Sequence, residues 1–207
     1  MIDVDHKASL LRDRVLQAPR MGQRRLVAIV GAPASGKSTL AERLAEKLCA
    51  AACPSQVVPM DGFHLHNQIL VDRQLLSKKG APETFDARGL LHLVERLHDE
   101  SDVFFPLFDR QRDISIVGAG FIAPNSDTII IEGNYLLLDA PVWRDLSQHW
   151  DLSIMLEVAL SELRERLIQR WLDFGLPRDK AIARAEENDL VNAQVVTMHS
   201  LDADFIV

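Results

Sequence analysis

Apolar runs of strand length alternate along this chain with segments whose apolar residues recur at helical spacing. This alternation is typical of β-α-β units, which build a mainly parallel sheet covered by helices on both faces. The predicted strands cover residues 26–30, 57–60, 103–105, 128–131, 152–156 and 205–207. The predicted helices cover residues 5–18, 36–51, 87–98, 161–174 and 178–192. We therefore expect an α/β fold with three α/β/α layers.

Turn-forming and capping residues mark the ends of several elements. The Gly-Ala-Gly tripeptide at 118–120 separates the apolar segments 114–117 and 121–123, and it predicts a hairpin or a bent turn there. Asp86 directly precedes the amphipathic helix 87–98, where its side chain can accept a hydrogen bond from a free backbone N–H group. We expect Asp86 to be the N-cap of that helix.

The strongest chemical motif follows the first predicted strand directly. Residues 31–39 match the pattern G-x-x-x-x-G-K-S between a strand and a helix, which is the context that a phosphate-binding loop requires. Glycines let backbone N–H groups surround phosphates, and the helix N-terminus adds partial positive charge. Lys37 would reach the β- and γ-phosphates, and Ser38 would offer its hydroxyl to Mg²⁺. The predicted loop is Gly31, Ala32, Pro33, Ala34, Ser35, Gly36, Lys37, Ser38 and Thr39.

Two carboxylates follow two other apolar strands. Asp61 comes after strand 57–60, and Glu132 comes after strand 128–131. Ligands of open parallel sheets bind beyond the carboxyl ends of the strands, so both side chains should lie near the phosphate loop. We expect the strand that ends at Asp61 to lie beside the strand that leads to this loop. A base or metal-binding function would offset the cost of burying each charge, and capping of the next element is the alternative.

Composition limits the class of protein and its partners. The chain has 207 residues and a formal net charge of −7, which fits one α/β domain and argues against nucleic-acid or anionic-membrane binding. No apolar run reaches the roughly 18–20 residues of a membrane span, and the N-terminal segment lacks the features of a secretory signal. Cys49 and Cys53 have no further cysteine to complete a zinc site, so we expect free thiols and a cytoplasmic protein.

Six motifs resemble the phosphoribulokinase, uridine kinase and pantothenate kinase family, most closely its bacterial branch of fructose-transport-system kinases. In chain order they are GAPASGKST, MDGFH, KGAPETFD, FPLFDR, IIIEGNYLLLD and ERLIQRW. The resemblance extends from residue 26 to about residue 196. It implies a P-loop NTPase fold with a helical lid, forming a single kinase domain over residues 1–207. The lid would lie at about 161–178, and a substrate-side flap would lie at about 62–86 and 107–125.

The resemblance also implies roles for individual residues. Asp61 would accept the proton of the acceptor hydroxyl, Glu132 would help to hold Mg²⁺, and Arg166 and Arg170 would bind phosphates from the lid. Asp61 is a candidate Mg²⁺ ligand as well. The apolar stripe of helix 161–174 consists of Leu163, Leu167, Trp171 and Phe174. Helical geometry places Arg170 within this stripe and Arg166 at its rim, where each arginine needs an anion, a structural carboxylate or a route to solvent.

The acceptor side is less well defined by the sequence. Candidate acceptor-binding residues are His64, Lys79, Asp109, Arg110 and Tyr135. Lys79 belongs to a charged, turn-rich segment that would be equally compatible with a solvated loop. The Asp-Gly-Phe-His sequence at 61–64 is nearer to the Asp-Gly-Phe of pantothenate kinases than to the Asp-Ser-Phe-Tyr of uridine kinases. This chain is nevertheless much shorter than bacterial pantothenate kinases.

We expect a cytoplasmic enzyme that uses ATP and Mg²⁺ to phosphorylate a hydroxyl of a small metabolite. The expected acceptor is a sugar such as fructose. A nucleoside or pantothenate kinase and a non-kinase ATP-binding regulatory protein are the alternatives. The expected partners are the acceptor molecule and a second copy of the chain in a homodimer, without nucleic acid or membrane.

Overall fold

The computed structural model describes residues 4–207, so the first three residues of the predicted domain lie outside the described part. Strands and helices alternate as the hydrophobic pattern predicts. The strands are β1 (Arg25–Gly31), β2 (Ser55–Pro59), β3 (Val103–Asp109), β4 (Ile114–Ile122), β5 (Thr128–Gly133), β6 (Leu152–Leu156) and β7 (Phe205–Ile206). The helices are α1 (Val4–Gln17), α2 (Lys37–Ala50), α3 (Asn67–Asp72), α4 (Ala87–Asp99), α5 (Leu160–Asp173), α6 (Arg178–Arg184) and α7 (Leu190–His199).

The central sheet has five parallel strands in the order β2-β5-β1-β6-β7. Every residue of β1 and β5 is buried, as is typical of parallel strands covered on both faces. Alternate residues of β1 point to opposite faces: Leu26 packs in the cluster that contains α4, whereas Val27 packs against α1 and α2. These two apolar clusters produce the predicted three layers, and the α/β/α architecture is confirmed.

The strand order corrects one expectation about the site. The strand that leads to Asp61, β2, pairs with β5 and not with β1, so the strand ending at Glu132 lies between them. The physical reason is that hydrophobic periodicity reports which faces of a strand are buried but not which strand is its neighbour. Glu132 is therefore placed between Asp61 and the phosphate loop.

The tripeptide at 118–120 is not a turn, contrary to the expectation from its glycines. It lies within β4, which pairs antiparallel with β3 to form a separate hairpin whose turn spans residues 110–113. The ring of Phe105 occupies the space where a Cβ on Gly120 would lie, so glycine is needed there for close packing. We call β3, β4 and their turn the flap hairpin.

The C-terminal helices are longer than predicted. The expected helix 178–192 extends to His199 as α6, a π-helical turn at Ala185–Asp189 and α7. In helix α5, Leu163 and Leu167 are buried against Ala32 of the loop after β1, as the apolar stripe predicts. Phe174 is instead 56% exposed, because the helix ends at the residue before it.

Two further expectations concern helix ends and membrane spans. Asp86 caps α4, and its Oδ1 atom accepts a hydrogen bond from the backbone N–H of Gly89 at 2.9 Å. Within residues 4–207, no helix combines the length and the apolar character that crossing a membrane requires.

Candidate active site

The loop between β1 and α2 has the backbone shape that a phosphate-binding loop needs. Gly36 lies in the left-handed region with a φ of 96°, directly before the 14-residue helix that starts at Lys37. A Cβ at Gly31 would lie 2.7 Å from the Ser35 hydroxyl oxygen and 3.0 Å from the Leu156 carbonyl oxygen, so this position also requires glycine. The free N–H groups of the first turn of α2 and the helix dipole both favour an anion at this loop.

Glu132 and Ser38 form the core of the candidate metal site. Glu132 is the last residue but one of the buried strand β5 and is 5% exposed. It accepts a hydrogen bond from the Ser38 hydroxyl at 2.9 Å. Burial raises the pKa of Glu132, while the neighbouring Lys37 cation opposes that rise. A hydroxyl and a carboxylate are the hard oxygen ligands that Mg²⁺ prefers, usually together with water and substrate phosphates. The donor set therefore fits Mg²⁺, whose charge would offset the desolvation of Glu132.

Asp61 lies at the same edge of the sheet, in the short 3₁₀ turn that follows β2. Its Oδ2 atom accepts a hydrogen bond from Nη2 of Arg110 at 2.6 Å, which forms an ion pair with the flap hairpin. The hairpin approaches closely because Gly62 has no side chain: a Cβ there would overlap the carbonyl group of Pro106. Glycine at position 62 thus lets the flap bring a cation to Asp61.

The two arginines of helix α5 contact the cavity in different ways. Arg166 donates hydrogen bonds to the carbonyl oxygens of Ala34 at 3.1 Å and Ser35 at 3.2 Å, and it also pairs with Glu162. The guanidinium of Arg170 donates no hydrogen bond within residues 4–207, and it lies near the Trp171 ring. Burial lowers the pKa of Arg170, because desolvation disfavours the charged guanidinium. Arg166 therefore supports the phosphate loop, and Arg170 is available to a ligand.

The acceptor side combines aromatic rings with polar groups. The His64 ring stacks on Phe85 at 4.0 Å and lies 4.8 Å from the Phe108 ring. Burial lowers the pKa of His64 to about 4, so its imidazole is neutral at physiological pH. Lys79 donates hydrogen bonds to Asn67 at 2.7 Å and to Asp113 at 2.8 Å. This wall of the cavity therefore offers apolar ring surface beside paired charges.

Two of the candidate acceptor-binding residues, Tyr135 and Asp109, lie outside the wall of the cavity. Tyr135 is fully buried, and its hydroxyl donates a hydrogen bond to the Gly80 carbonyl at 2.6 Å. Burial raises the pKa of Tyr135, and the nearby Glu83 carboxylate adds to that rise. Asp109 accepts hydrogen bonds from Arg112 and from two backbone N–H groups of the flap turn. In the structure, the polar groups of Tyr135 and Asp109 are therefore hydrogen-bonded to other parts of the protein and do not face the cavity.

A cavity of about 1020 Å³ brings most of the other candidates together. Its walls include Lys37, Ser38, Asp61, His64, Lys79, Arg110, Arg166 and Arg170. They also include Phe108, Asp113, Asn134, Arg184, Asp189 and Asn192, which the sequence motifs did not single out as site residues. Asn134 could have been predicted from the sequence, because it lies two residues beyond Glu132, at the end of β5.

Asp189 reaches the cavity from the π-helical turn Ala185–Asp189. Its Oδ2 atom accepts a hydrogen bond from Nε1 of Trp171 at 2.5 Å, and burial raises its pKa. Such π-helical turns occur frequently at functional sites, but periodicity in a sequence does not reveal them. For this reason the sequence predicted a helix here without predicting a site residue.

Comparison with known proteins gives consistent matches. The sequence profile of the Phosphoribulokinase / Uridine kinase family matches residues 26–173. The chain is 37% identical over 206 residues to the uncharacterized protein YggC of Escherichia coli K12, covering 98% of this chain and 85% of that protein. It is 33% identical over 210 residues to the "Putative uridine kinase C227.14" of Schizosaccharomyces pombe, covering 95% of this chain and 88% of that protein. The crystal structure of a "putative fructose transport system kinase" from Silicibacter sp. TM1040 superposes with a TM-score of 0.93 at 50% identity, covering 100% of both chains.

Proposed function

Because the chain belongs to the phosphoribulokinase and uridine kinase family and is a small-molecule kinase, we propose that it transfers the γ-phosphoryl group of ATP to a sugar such as fructose. The observation that carries this proposal is the cavity that Asp61 shares with Lys37 and Ser38 of the phosphate loop. The Ser38 hydroxyl in turn donates a hydrogen bond to Glu132. The sugar is supported by the fructose named for the Silicibacter protein, with which this chain shares 50% identity. The paired charges on the acceptor side add support, since hydroxyl groups both donate and accept hydrogen bonds.

The nucleotide side of the reaction uses the loop between β1 and α2. Lys37 and the backbone N–H groups of residues 31–39 bind the phosphates. Ser38 and Glu132 would hold Mg²⁺, with Asp61 as a further candidate ligand. When bound, Mg²⁺ neutralises negative charge on the phosphate oxygens. Arg170, whose guanidinium has no hydrogen bond to another described residue, supplies positive charge from the lid.

The acceptor side of the reaction depends on Asp61. Its carboxylate orients the acceptor hydroxyl and takes its proton while the hydroxyl oxygen bonds to the γ-phosphorus. The bond between the γ-phosphorus and the bridging oxygen of ADP breaks, and ADP leaves. Arg166 holds the loop carbonyls near this centre, so it positions the nucleotide.

A nucleoside is the second candidate acceptor. It is favoured by the aromatic surface of His64, Phe85 and Phe108 in the cavity wall, because such rings can stack on a nucleobase. The name of the Schizosaccharomyces pombe relative refers to uridine as well. The test described next also covers two further possibilities, that the acceptor is pantothenate and that the protein phosphorylates no acceptor.

An assay of ADP release tests the proposal directly. Purified protein at saturating MgATP is offered fructose, other sugars, uridine, pantothenate and glycerate, and Lys37→Ala serves as the inactive control. We expect a sugar to raise ADP release above the acceptor-free rate, with the phosphorylated sugar as product. Selective stimulation by uridine or pantothenate would reassign the acceptor. ADP release that no compound stimulates would instead favour a regulatory ATP-binding protein.

Compartment and assembly are separate proposals. The acidic composition and the two free cysteines support a cytoplasmic protein, and the homodimer rests on the sequence prediction alone. Fractionation of cells and light scattering of the purified protein measure these two properties.

A further inference from the structure

The turn of the flap hairpin is fixed on both sides of Arg110. On one side, Asp109 accepts hydrogen bonds from two backbone N–H groups of the turn at 3.0 and 2.9 Å. On the other side, Asp113 pairs with Lys79 at 2.8 Å and accepts a hydrogen bond from Asn67 at 2.8 Å. The turn is therefore a built element that presents the intervening arginine to the cavity.

Arg110 lies between the two reacting sides of the cavity. Its guanidinium donates to Asp61 at 2.6 Å, and its side chain keeps 52% of its surface exposed. Its positive charge also helps to lower the pKa of Arg170 in helix α5 and opposes the raised pKa of buried Glu132. These couplings indicate that Arg110 faces the same space as the lid arginine and the candidate metal site.

The ion pair with Asp61 conflicts with the proposed chemistry of that residue. Once Asp61 has accepted a proton, the Arg110 cation loses its counter-charge, so the ion pair opposes the transfer unless another anion takes the guanidinium. The transferring phosphoryl group is an anion in the right place, because it must lie beside the acceptor hydroxyl that Asp61 binds. A half-exposed arginine side chain is long and free enough to make this exchange.

We propose that Arg110 is a further catalytic residue, which releases Asp61 and binds the γ-phosphoryl group while that group passes from ATP to the acceptor. The inference rests on the proposed function of Asp61 and the phosphate loop, but it does not depend on which acceptor is used. It gives the flap hairpin, in addition to the lid helix, a contact with the transferring group. Bidentate binding of phosphoryl oxygens is chemistry to which arginine is well suited.

The test uses MgADP with aluminium fluoride, which mimics the phosphoryl group during transfer. Dissociation constants for MgADP alone and for MgADP with aluminium fluoride are measured by calorimetry in wild type and Arg110→Gln. We expect Arg110→Gln to weaken the aluminium fluoride complex by about 10²–10³-fold and to leave MgADP affinity within about threefold. Acceptor-independent ATP hydrolysis should fall by a similar factor. Arg110→Lys, which keeps the charge but not the planar fork, should lose less.

Arg112→Gln is the matched control, because Arg112 lies on the same turn and pairs with Asp109 at 2.7 Å. Equal weakening in Arg112→Gln would assign the effect to the shape of the turn and overturn the proposal. The proposal would also be overturned if Arg110→Gln bound MgADP with aluminium fluoride and hydrolysed ATP as wild type does, and only its sugar phosphorylation were reduced. Arg110 would then act only on the acceptor or on Asp61. If no acceptor is phosphorylated, the proposed function fails, while the fluoride and hydrolysis measurements still decide the role of Arg110.

Discussion

Replacing Asp61 by asparagine separates its chemical role from its structural one. Asparagine keeps the size of the side chain and can still accept a hydrogen bond, but it cannot take the proton of the acceptor hydroxyl. Loss of a general base lowers the rate of transfer by about 10²–10⁴-fold, which corresponds to about 3–5 kcal/mol in the activation barrier. We expect Asp61→Asn to lose sugar phosphorylation by this factor.

The structural cost of the same substitution is much smaller. Asp61 pairs with Arg110 at 2.6 Å, but the two side chains are 27% and 52% exposed. An ion pair of this kind contributes at most about 1 kcal/mol, which corresponds to about 2–4 °C in Tm for a chain of this size. A catalytic loss of two or more orders of magnitude therefore cannot come from partial unfolding.

The assay measures kcat for the best acceptor at saturating MgATP, together with acceptor-independent ATP hydrolysis and Tm. Asp139→Asn is the control, because it breaks an exposed ion pair with Arg144 at 3.1 Å outside the cavity wall. We expect Asp61→Asn to keep hydrolysis and MgATP affinity within a few fold. If Asp61 also binds Mg²⁺, added metal should recover part of the transfer rate. Full transfer in Asp61→Asn, or a loss that follows a large fall in Tm, would refute the reasoning.

Three other substitutions give distinct expected results. MgATP at about 100 times its Kd should stabilise wild type by roughly 2.7 kcal/mol, and Lys37→Ala should remove most of that thermal shift; an unchanged shift would exclude Lys37 from phosphate binding. Tyr135→Phe leaves the partly buried Gly80 carbonyl without its donor and should cost about 0.5–1.5 kcal/mol of stability with kcat unchanged. A lower kcat at an unchanged Tm would instead indicate that Tyr135 contacts the acceptor. The folded-state pKa of His64, about 4, lies below its unfolded value, so the unfolded chain binds more protons between pH 6.5 and 4 and stability falls as the pH drops. Between pH 6.5 and 4, His64→Phe should therefore lose less unfolding free energy than wild type, by up to roughly 3 kcal/mol, and its Tm should fall less. An equal fall in Tm in the two proteins would contradict the assignment.

The site could be predicted from the sequence only where its residues belong to one contiguous motif or end an apolar strand. Gly36 and Lys37 were predictable because a left-handed glycine before a helix is a local requirement of the chain. Glu132 was predictable because it follows the apolar run 128–131 at the edge where ligands bind. The Asp61–Arg110 pair joins residues 49 positions apart, so no local pattern contains it.

The sequence by itself determined the alternation of strands and helices, the phosphate loop and the family of the chain. Hydrophobic spacing and turn chemistry are properties of neighbouring residues, and they act before distant segments meet. Only the tertiary structure decided that β5 lies between β1 and β2, that Gly120 makes room for the Phe105 ring, and that Arg110 faces Asp61. These features depend on which buried faces pack together, and many pairings of the same apolar strands satisfy the same one-dimensional pattern.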